Sequence, residues 1–322
     1  MDKSTNYLGI DISKDVFDVV DMQDQHRQFK NTSAGFRNFL KELSEDALCV
    51  MEATGYYHIR LAYFLLENNI RLSIVNPLSV KRFIQMKLSR IKTDRSDAKM
   101  IRLYAQNNDL KLWKGKSKNE IESLQIAGLL DNYTKQITAI KNKIQGEKVL
   151  GKPSEIVLRS LKRSKKNLQE EQQLLESRLK ELVRETYPGM LTNLESIPGL
   201  GRKTAIMLIV QTDGFSRFSS SSALCSYSGL TPLIRKSGSS VHSRPRISKM
   251  GNQRLRSLLF MCSFSASKHN KACKEIYQRI TNKGKSKKLA LIAVSNKLLK
   301  QAFAIAKSGI PYDENYRSVL IQ

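Results

Sequence analysis

Tyr7-Leu8-Gly9-Ile10-Asp11-Ile12 reads as a β-strand, and Val16-Phe17-Asp18-Val19-Val20-Asp21 continues it as a second strand after a turn. Asp11 sits at the end of an otherwise apolar run. Aspartate suits strands poorly and is rarely buried unless paired or metal-bound, so this position asks for a chemical explanation. Outward from it, Ser33 to Leu43 has helical spacing, with Phe36, Phe39, Leu40 and Leu43 on one face. Ala47-Leu48-Cys49-Val50-Met51-Glu52 is a nearly continuous apolar run, as in a strand covered on both faces. Thr54-Gly55 then opens a helix through Leu66, and Arg71-Leu72-Ser73-Ile74-Val75-Asn76 is a further strand ended by Pro77. Strands alternating with helices in this way predict an α/β layer with parallel pairs.

Three more carboxylates join Asp11. Glu52 ends its strand directly before Ala53-Thr54-Gly55, and Asp94 and Asp97 lie three apart in Lys92-Thr93-Asp94-Arg95-Ser96-Asp97-Ala98-Lys99. On a helix that spacing places both on one face. Two strand-end carboxylates and such a pair can converge at one sheet edge. Hard cations such as Mg²⁺ want oxygen ligands and leave room for substrate phosphate, and a two-metal site needs several carboxylates. Plainer roles stay open for two of them: Asp94 as a helix N-cap, and Asp97 as a salt-bridge partner of Arg95 or Lys99.

Beyond residue 117 the pattern changes. Leu130, Tyr133, Ile137, Ile140 and Ile144 recur in steps of three and four, and Leu161, Leu168, Leu175, Leu179 and Leu182 resume the seam after Gly151-Lys152-Pro153. Two long helices in an antiparallel hairpin fit this, as a spacer or as a dimerisation arm. Leu194 to Ala205, which contains Ile197-Pro198-Gly199-Leu200-Gly201-Arg202-Lys203, matches a helix-hairpin-helix signature. Its glycines allow a tight turn whose backbone N–H groups can grip a DNA phosphate, with Arg202 and Lys203 beside it.

The chain of 322 residues carries 55 Lys plus Arg against 29 Asp plus Glu, a formal charge of +26. Such an excess points to a polyanionic partner, although a basic structural protein would share it. Residues 235–300 hold 17 Lys plus Arg and one acid, Glu275, interleaved with apolar helical spacing at Leu255, Leu258, Leu259 and Met261. That stretch reads as a surface that tracks phosphates. Cys49, Cys225, Cys262 and Cys273 have no paired spacing and are expected to be buried thiols. No leader is expected at the N-terminus, and no segment reaches the roughly 18 apolar residues of a membrane span. The expected setting is the cytoplasm, with no membrane partner.

Taken in order, Gly9-Ile10-Asp11-Ile12-Ser13-Lys14, Glu52-Ala53-Thr54-Gly55 and Lys92-Thr93-Asp94-Arg95-Ser96-Asp97-Ala98 resemble the DEDD transposases of bacterial insertion sequences. That group includes pilin-gene invertases and bridge-RNA-guided recombinases, and the similarity extends over nearly the whole chain. It implies an α/β plus α architecture in three parts. These are a RuvC-like, ribonuclease H-like metal-binding domain over 1–112, a coiled-coil hairpin over 113–187, and a mainly helical transposase domain with the helix-hairpin-helix over 188–322. It also implies that Asp11, Glu52, Asp94 and Asp97 hold Mg²⁺, or alternatively Mn²⁺. A nucleophilic serine is expected in the loop between Gly229-Leu230-Thr231-Pro232 and the basic stretch Arg246 to Gly251. The matching residue is Ser237, with Ser239 or Ser240 next if the loop alignment slips. From the residues alone this Ser/Gly loop, and His242 in it, could be an unremarkable surface.

The resemblance further implies donor and target double-stranded DNA, a structured noncoding guide RNA, and a homo-oligomer, dimer or tetramer. The cations expected on nucleic acid are Lys92, Arg95, Arg202, Lys203, Arg235, Lys236, Arg244, Arg246 and Lys249, together with the turn glycines Gly199 and Gly201. Competing readings are a Holliday-junction-type nuclease that uses water, and a non-catalytic nucleic-acid-binding protein. The sugar kinase and actin-like ATPases share an early Gly-x-Asp strand, but Ile12-Ser13-Lys14 after Asp11 matches their phosphate turns poorly.

Overall fold

Five strands take up the apolar runs of the first hundred residues: β1 (Asn6–Ile12), β2 (Val16–Val20), β3 (His26–Lys30), β4 (Ala47–Glu52) and β5 (Arg71–Val75). The computed structural model describes residues 6–53, 55–88, 93–233, 236–237, 241–242 and 246–315. Within them the chain divides into two compact units, residues 1–116 and 117–322.

In the first unit the strands form one sheet in the order β3-β2-β1-β4-β5. The β1–β2–β3 meander is antiparallel, while β4 pairs with β1 and β5 with β4 in parallel. This mixed sheet with helices on both faces is the ribonuclease H-like arrangement that the sequence resemblance implied. Alternation along each strand divides the side chains between two cores. Leu8, Ile10, Ile12, Cys49 and Met51 pack with Phe36, Phe39, Leu61 and Leu65 of α1 (Ser33–Lys41) and α2 (His58–Glu67). On the other face, Leu48, Val50 and Val75 pack with Val80 of α3 (Pro77–Met86) and Ile101 and Ala105 of α4 (Asp94–Asn107).

Three local expectations shift. β3 carries no strand signal of its own, because His26-Arg27-Gln28-Phe29-Lys30 is polar, as suits an edge strand. The second helix begins at His58 rather than at Thr54-Gly55, and Thr54 lies outside the described residues. Pro77 does end β5, but it also starts α3. Asn76 caps that helix by accepting from the Leu78 N–H (2.8 Å), and proline fits the first turn because its missing N–H has no partner to lose there.

The second unit opens with the expected hairpin, α5 (Lys118–Val149) and α6 (Glu155–Thr186), which reverses around Gly151 at φ +81°. Its antiparallel sense follows from the ties at its base, where Arg178 meets Glu122 (2.8 Å) and the Tyr187 hydroxyl meets Glu120 (3.0 Å). Leu130, Leu179 and Leu182 from the seam are buried near that base, whereas Val149, Leu150 and Ile156 at the far end are exposed. Then come α7 (Met190–Glu195), α8 (Arg202–Thr212), α9 (Ser221–Tyr227), the short strands β6 (Pro232–Leu233), β7 (Lys236–Ser237), β8 (Val241–His242) and β9 (Arg246–Ile247), and α10 (Gln253–His269), α11 (Lys271–Asn282) and α12 (Lys287–Ser308). Leu208, Ile209, Leu255, Leu259, Leu298 and Leu299 lie in its single core. Met261, read with Leu255 and Leu259 as part of one apolar spacing, is instead exposed at 66 %.

α12 corrects another expectation. By length and composition it could cross a membrane, yet Leu291, Val294, Leu298, Leu299 and Ala302 are buried inside the unit, so its hydrophobicity serves the core. The four cysteines are free, and Cys49, Cys225 and Cys273 are buried.

The turn between α7 and α8 depends on Gly199. Its φ is +93°, and a Cβ there would come within 2.6 Å of the Ala266 backbone on α10. Gly201, the N-cap of α8, has φ −72° and open space around it. Gly199→Ala is therefore expected to cost about 2–4 kcal/mol from backbone strain and overlap. Gly201→Ala should fall much closer to wild type in urea denaturation, and equal losses at the two positions would contradict this packing.

Candidate active site

β1 and β4 are parallel neighbours with Gly9 opposite Val50. Tyr7, Gly9 and Asp11 therefore point to the same face as Leu48, Val50 and Glu52. That face is covered by α4, which runs closest at Gly9. A Cβ on Gly9 would stand 2.1 Å from the Ala98 carbonyl oxygen and 2.5 Å from the Arg102 nitrogen, so the helix rests almost directly on the strand backbone. Asp97, immediately before Ala98, and Asp94, one turn before it, come near enough to Asp11 for their charges to act on it, as that of Glu52 does.

The start of α4 is set by Thr93, not by Asp94. The Thr93 side chain accepts from the Ser96 N–H (3.1 Å), and the Thr93 N–H donates to the Ser96 hydroxyl (2.8 Å). This reciprocal cap leaves Asp94 and Asp97 in the first turn, where the helix dipole favours negative charge. The Lys99 ammonium, a candidate partner for Asp97, has a firm partner of its own. It bonds Asp24 (2.6 Å) in the β2–β3 turn, and the buried Arg102 reaches the same carboxylate (2.5 Å). Those two cations hold the Asp24 carboxyl below its ordinary pKa, the hydrogen bond from Lys99 being the largest influence. Asp18, directly across from Asp11, is buried and bound to His26 (2.6 Å) and Gln28 (3.1 Å).

The electrostatics of the four acids are linked. Burial pushes the Asp11 carboxyl up to about 6, and the charges of Asp97, Asp94 and Glu52 add to the rise in that order, while a backbone hydrogen bond at Ile12 opposes it. The donors are all hard oxygens, and their mutual repulsion is what a divalent cation would relieve, so they suit Mg²⁺ chemically. Among the described residues, however, no three acids, histidines or cysteines stand close enough to enclose one ion. The set is adjacent rather than already gathered into a cage.

The remaining sequence candidates divide between the two units. Arg95 is exposed in the first turn of α4, and Lys92 lies outside the described residues. Gly201 is exposed at the start of α8, whereas Gly199 is used for packing. Arg202 pairs with Glu195, and Lys203 pairs with Glu176 (2.7 Å). The serine segment is a nested ribbon rather than a plain loop. β6 pairs with β9 at its base, and β7 pairs with β8, placing Ser237 opposite Val241. Arg246 and Lys249 are exposed beside the base. Arg235, Arg244, Ser239 and Ser240 lie outside the described residues, and Lys236, Ser237 and His242 are described by their backbone alone. Sequence reasoning missed Gly9, Asp24, Lys99 and Arg102, which place α4. Only Gly9, a glycine inside an apolar strand, carried a signal of close backbone approach.

A ribonuclease H-like sheet with acids at its strand ends, joined to a basic helical unit, is the architecture expected of a nucleic-acid-processing enzyme. Residues 8–152 match the transposase model DEDD_Tnp_IS110, and residues 191–278 match the model described as Transposase IS116/IS110/IS902 family. The chain is 30% identical to the pilin gene-inverting protein of Moraxella bovis over 97% of its own length and 98% of that protein. The pilin gene-inverting protein of Moraxella lacunata matches equally, at 30% identity over 97% and 98%. The transposase for insertion sequence element IS1111A of Coxiella burnetii is 24% identical over 92% of this chain and 88% of that one. The chain belongs to the IS110/IS1111 family of DEDD transposases and recombinases, enzymes that cut DNA. Metal-dependent catalysis is what the DEDD motif of that family implies.

Two measurements probe this arrangement. Gly9→Ala should force α4 off β1 and lower DNA cleavage at least about 100-fold, as misplacement by about 1 Å can, while circular dichroism still reports a folded chain. The Asp11 carboxyl binds its proton more tightly folded, at about 6, than at its ordinary value of 3.8. Stability contributed by that proton is present below pH 3.8 and is lost as pH rises through 6. Without metal, Asp11→Asn should then be more stable than wild type by about 1–2 kcal/mol at pH 8, after discounting for solvent screening. The gap should close near pH 4 and under saturating Mg²⁺; a pH-independent difference in thermal melts would contradict the linkage.

Proposed function

We propose that this transposase cuts and rejoins DNA through a covalent serine–phosphodiester intermediate formed on Ser237. The reading is supported chiefly by one observation: Asp11 and Glu52 at the ends of adjacent strands lie close enough to Asp94 and Asp97 that burial, with the charges of these three acids added, raises the Asp11 carboxyl to about 6. In this proposal those four residues hold Mg²⁺ or Mn²⁺, which would offset charge on the phosphate and help the departing 3′ oxygen. The Ser237 oxygen attacks phosphorus and becomes joined to the 5′ phosphate as the bond to the 3′ oxygen breaks, the serine proton passing through solvent to that oxygen to leave a 3′ hydroxyl. The 3′ hydroxyl of a new partner strand then reverses the step and frees the serine. The phosphoserine linkage keeps the energy of the broken bond, so rejoining needs no nucleotide hydrolysis.

Lys92, Arg95, Arg235, Lys236, Arg244, Arg246 and Lys249 would bind the phosphates around that point, with the turn at Gly199 and Gly201 and its neighbours Arg202 and Lys203 gripping the backbone farther along. The working parts would be a metal-binding domain over 1–112, a hairpin connector over 113–187 and a nucleophile-bearing domain over 188–322, acting on donor and target DNA in the cytoplasm. A serine carried on a different unit from the carboxylates fits a site completed by a second copy in a dimer or tetramer. The charge of +26 suits a structured guide RNA in addition to donor and target DNA.

Denatured protein should retain end-labelled DNA after reaction, and Ser237→Ala should abolish that adduct; free hydrolytic ends without an adduct would favour the junction-nuclease alternative. Mixing Asp11→Ala with Ser237→Ala chains should restore cleavage if sites are shared, and failure at every ratio rejects sharing. Recombination that is equally efficient after removal of co-purified RNA would reject guidance.

A further inference from the structure

Past the strand ends that carry Asp11 and Glu52, on the α1 and α2 side of the sheet rather than the α4 side, lies a cleft of about 400 Å³ that the metal and serine chemistry does not use. One wall is Lys14 and Asp15 of the β1–β2 turn; the other is Tyr56, Tyr57 and Arg60 at the start of α2, with Asn31 between them. Both walls continue directly from the reacting edge, Lys14 three residues after Asp11 and Tyr56 four after Glu52.

The lining is unusual for a surface hollow. Tyr56 is 89 % exposed and Tyr57 48 % exposed, a large aromatic area for water to cover. Arg60 lies with its guanidinium 5.8 Å from the Phe36 ring centre, which steadies it at the rim. With Lys14 and Arg60 against Asp15, the wall is net positive.

The cleft is also held open. The Asn31 side-chain amide donates to the Ser13 carbonyl (2.8 Å) and the Tyr57 carbonyl (3.4 Å), stitching one wall to the other. Two acceptors on that nitrogen fix the orientation of the amide. Asn31 is only 8 % exposed, and its Oδ1 is sealed in without a partner. A buried acceptor left unpaired costs stability, so this clamp is not what folding alone would favour. Exposed aromatics flanked by cations are the recurring composition of sites for unpaired nucleotides, in which bases stack and phosphates are paired. A volume of about 400 Å³ is in the range of sites for single small molecules, and one nucleotide is of that size.

We propose that this cleft receives one unpaired nucleotide of the DNA strand beside the phosphate being cut. Its base stacks on Tyr56 and Tyr57, and its phosphates meet Lys14 and Arg60. The inference rests on the reading of the adjoining carboxylates as the reaction centre, and it makes local strand opening part of substrate binding.

The test uses the full chain in EDTA and fluorescence anisotropy, comparing a DNA duplex bearing a four-nucleotide single-stranded overhang with the blunt duplex. Wild type should prefer the overhang by about 10-fold or more. Tyr56→Ala should lower the overhang-to-blunt affinity ratio by about 5-fold or more, toward one, as loss of one stacked base predicts. Tyr56→Phe should keep the ratio, and Arg60→Ala should reduce it. A wild-type ratio of one, an unchanged ratio in Tyr56→Ala, or equal loss in Tyr56→Phe overturns the proposal. Preference for an RNA overhang with none for DNA also overturns it. Because binding is read without metal, a ratio of one alongside intact adduct formation sinks this inference alone. Conversely, a preserved ratio alongside cleavage by Asp11→Ala sinks the metal reading alone.

Discussion

The backbone of α4 lies on the backbone of β1 at Gly9, and the acidic edge of the first unit is arranged around that contact. A side chain at this position would meet the Ala98 carbonyl oxygen and the Arg102 nitrogen. With no side chain between them, strand and helix approach closely enough for Asp94 and Asp97 to act electrostatically on Asp11. The other features of the region fix the remaining freedoms of the helix. Thr93 and Ser96 set where it begins, Ile101 and Ala105 set the face it presents, and Asp24 holds its middle through Lys99 and Arg102.

That placement works against stability. In a chain with a large positive excess, four carboxylates are collected where burial and their own repulsion raise the pKa of one of them. The nearby cations Lys99 and Arg102 of the same helix are bound to Asp24. Arrangements that weaken a fold locally are typical of working sites.

The legible part of the fold was the part written in apolar periodicity. β1, β2, β4 and β5, the first helix and the long hairpin all follow from runs or seams that can be counted, and the acids at Asp11 and Glu52 stand at strand ends as their sequence context suggested. What was missed depends on neighbours distant in the chain. β3 is polar because it is an edge, so its pairing with β2 supplies what its composition does not. Pro77 carries two meanings, strand stop and helix start, and only the Asn76 cap reveals the second. The ribbon around Ser237 is built from two-residue strands, too short for any alternation to register. Gly9 and Gly199 look alike in sequence as permissive residues. One admits a helix to a strand, and the other admits α10 to a turn while holding a positive φ.

The ion pairs at the helix-hairpin-helix bear on how this protein would respond to salt. Arg202 and Lys203 enter any encounter with DNA already engaged by Glu195 and Glu176. To reach a phosphate, each must exchange one anion for another and leave a carboxylate behind that gathers cations from solution. The ions released from DNA are then partly recaptured by the protein, so affinity would fall with salt less steeply than a count of basic residues suggests. Contacts of this kind favour a protein that can let go of one duplex and take up another.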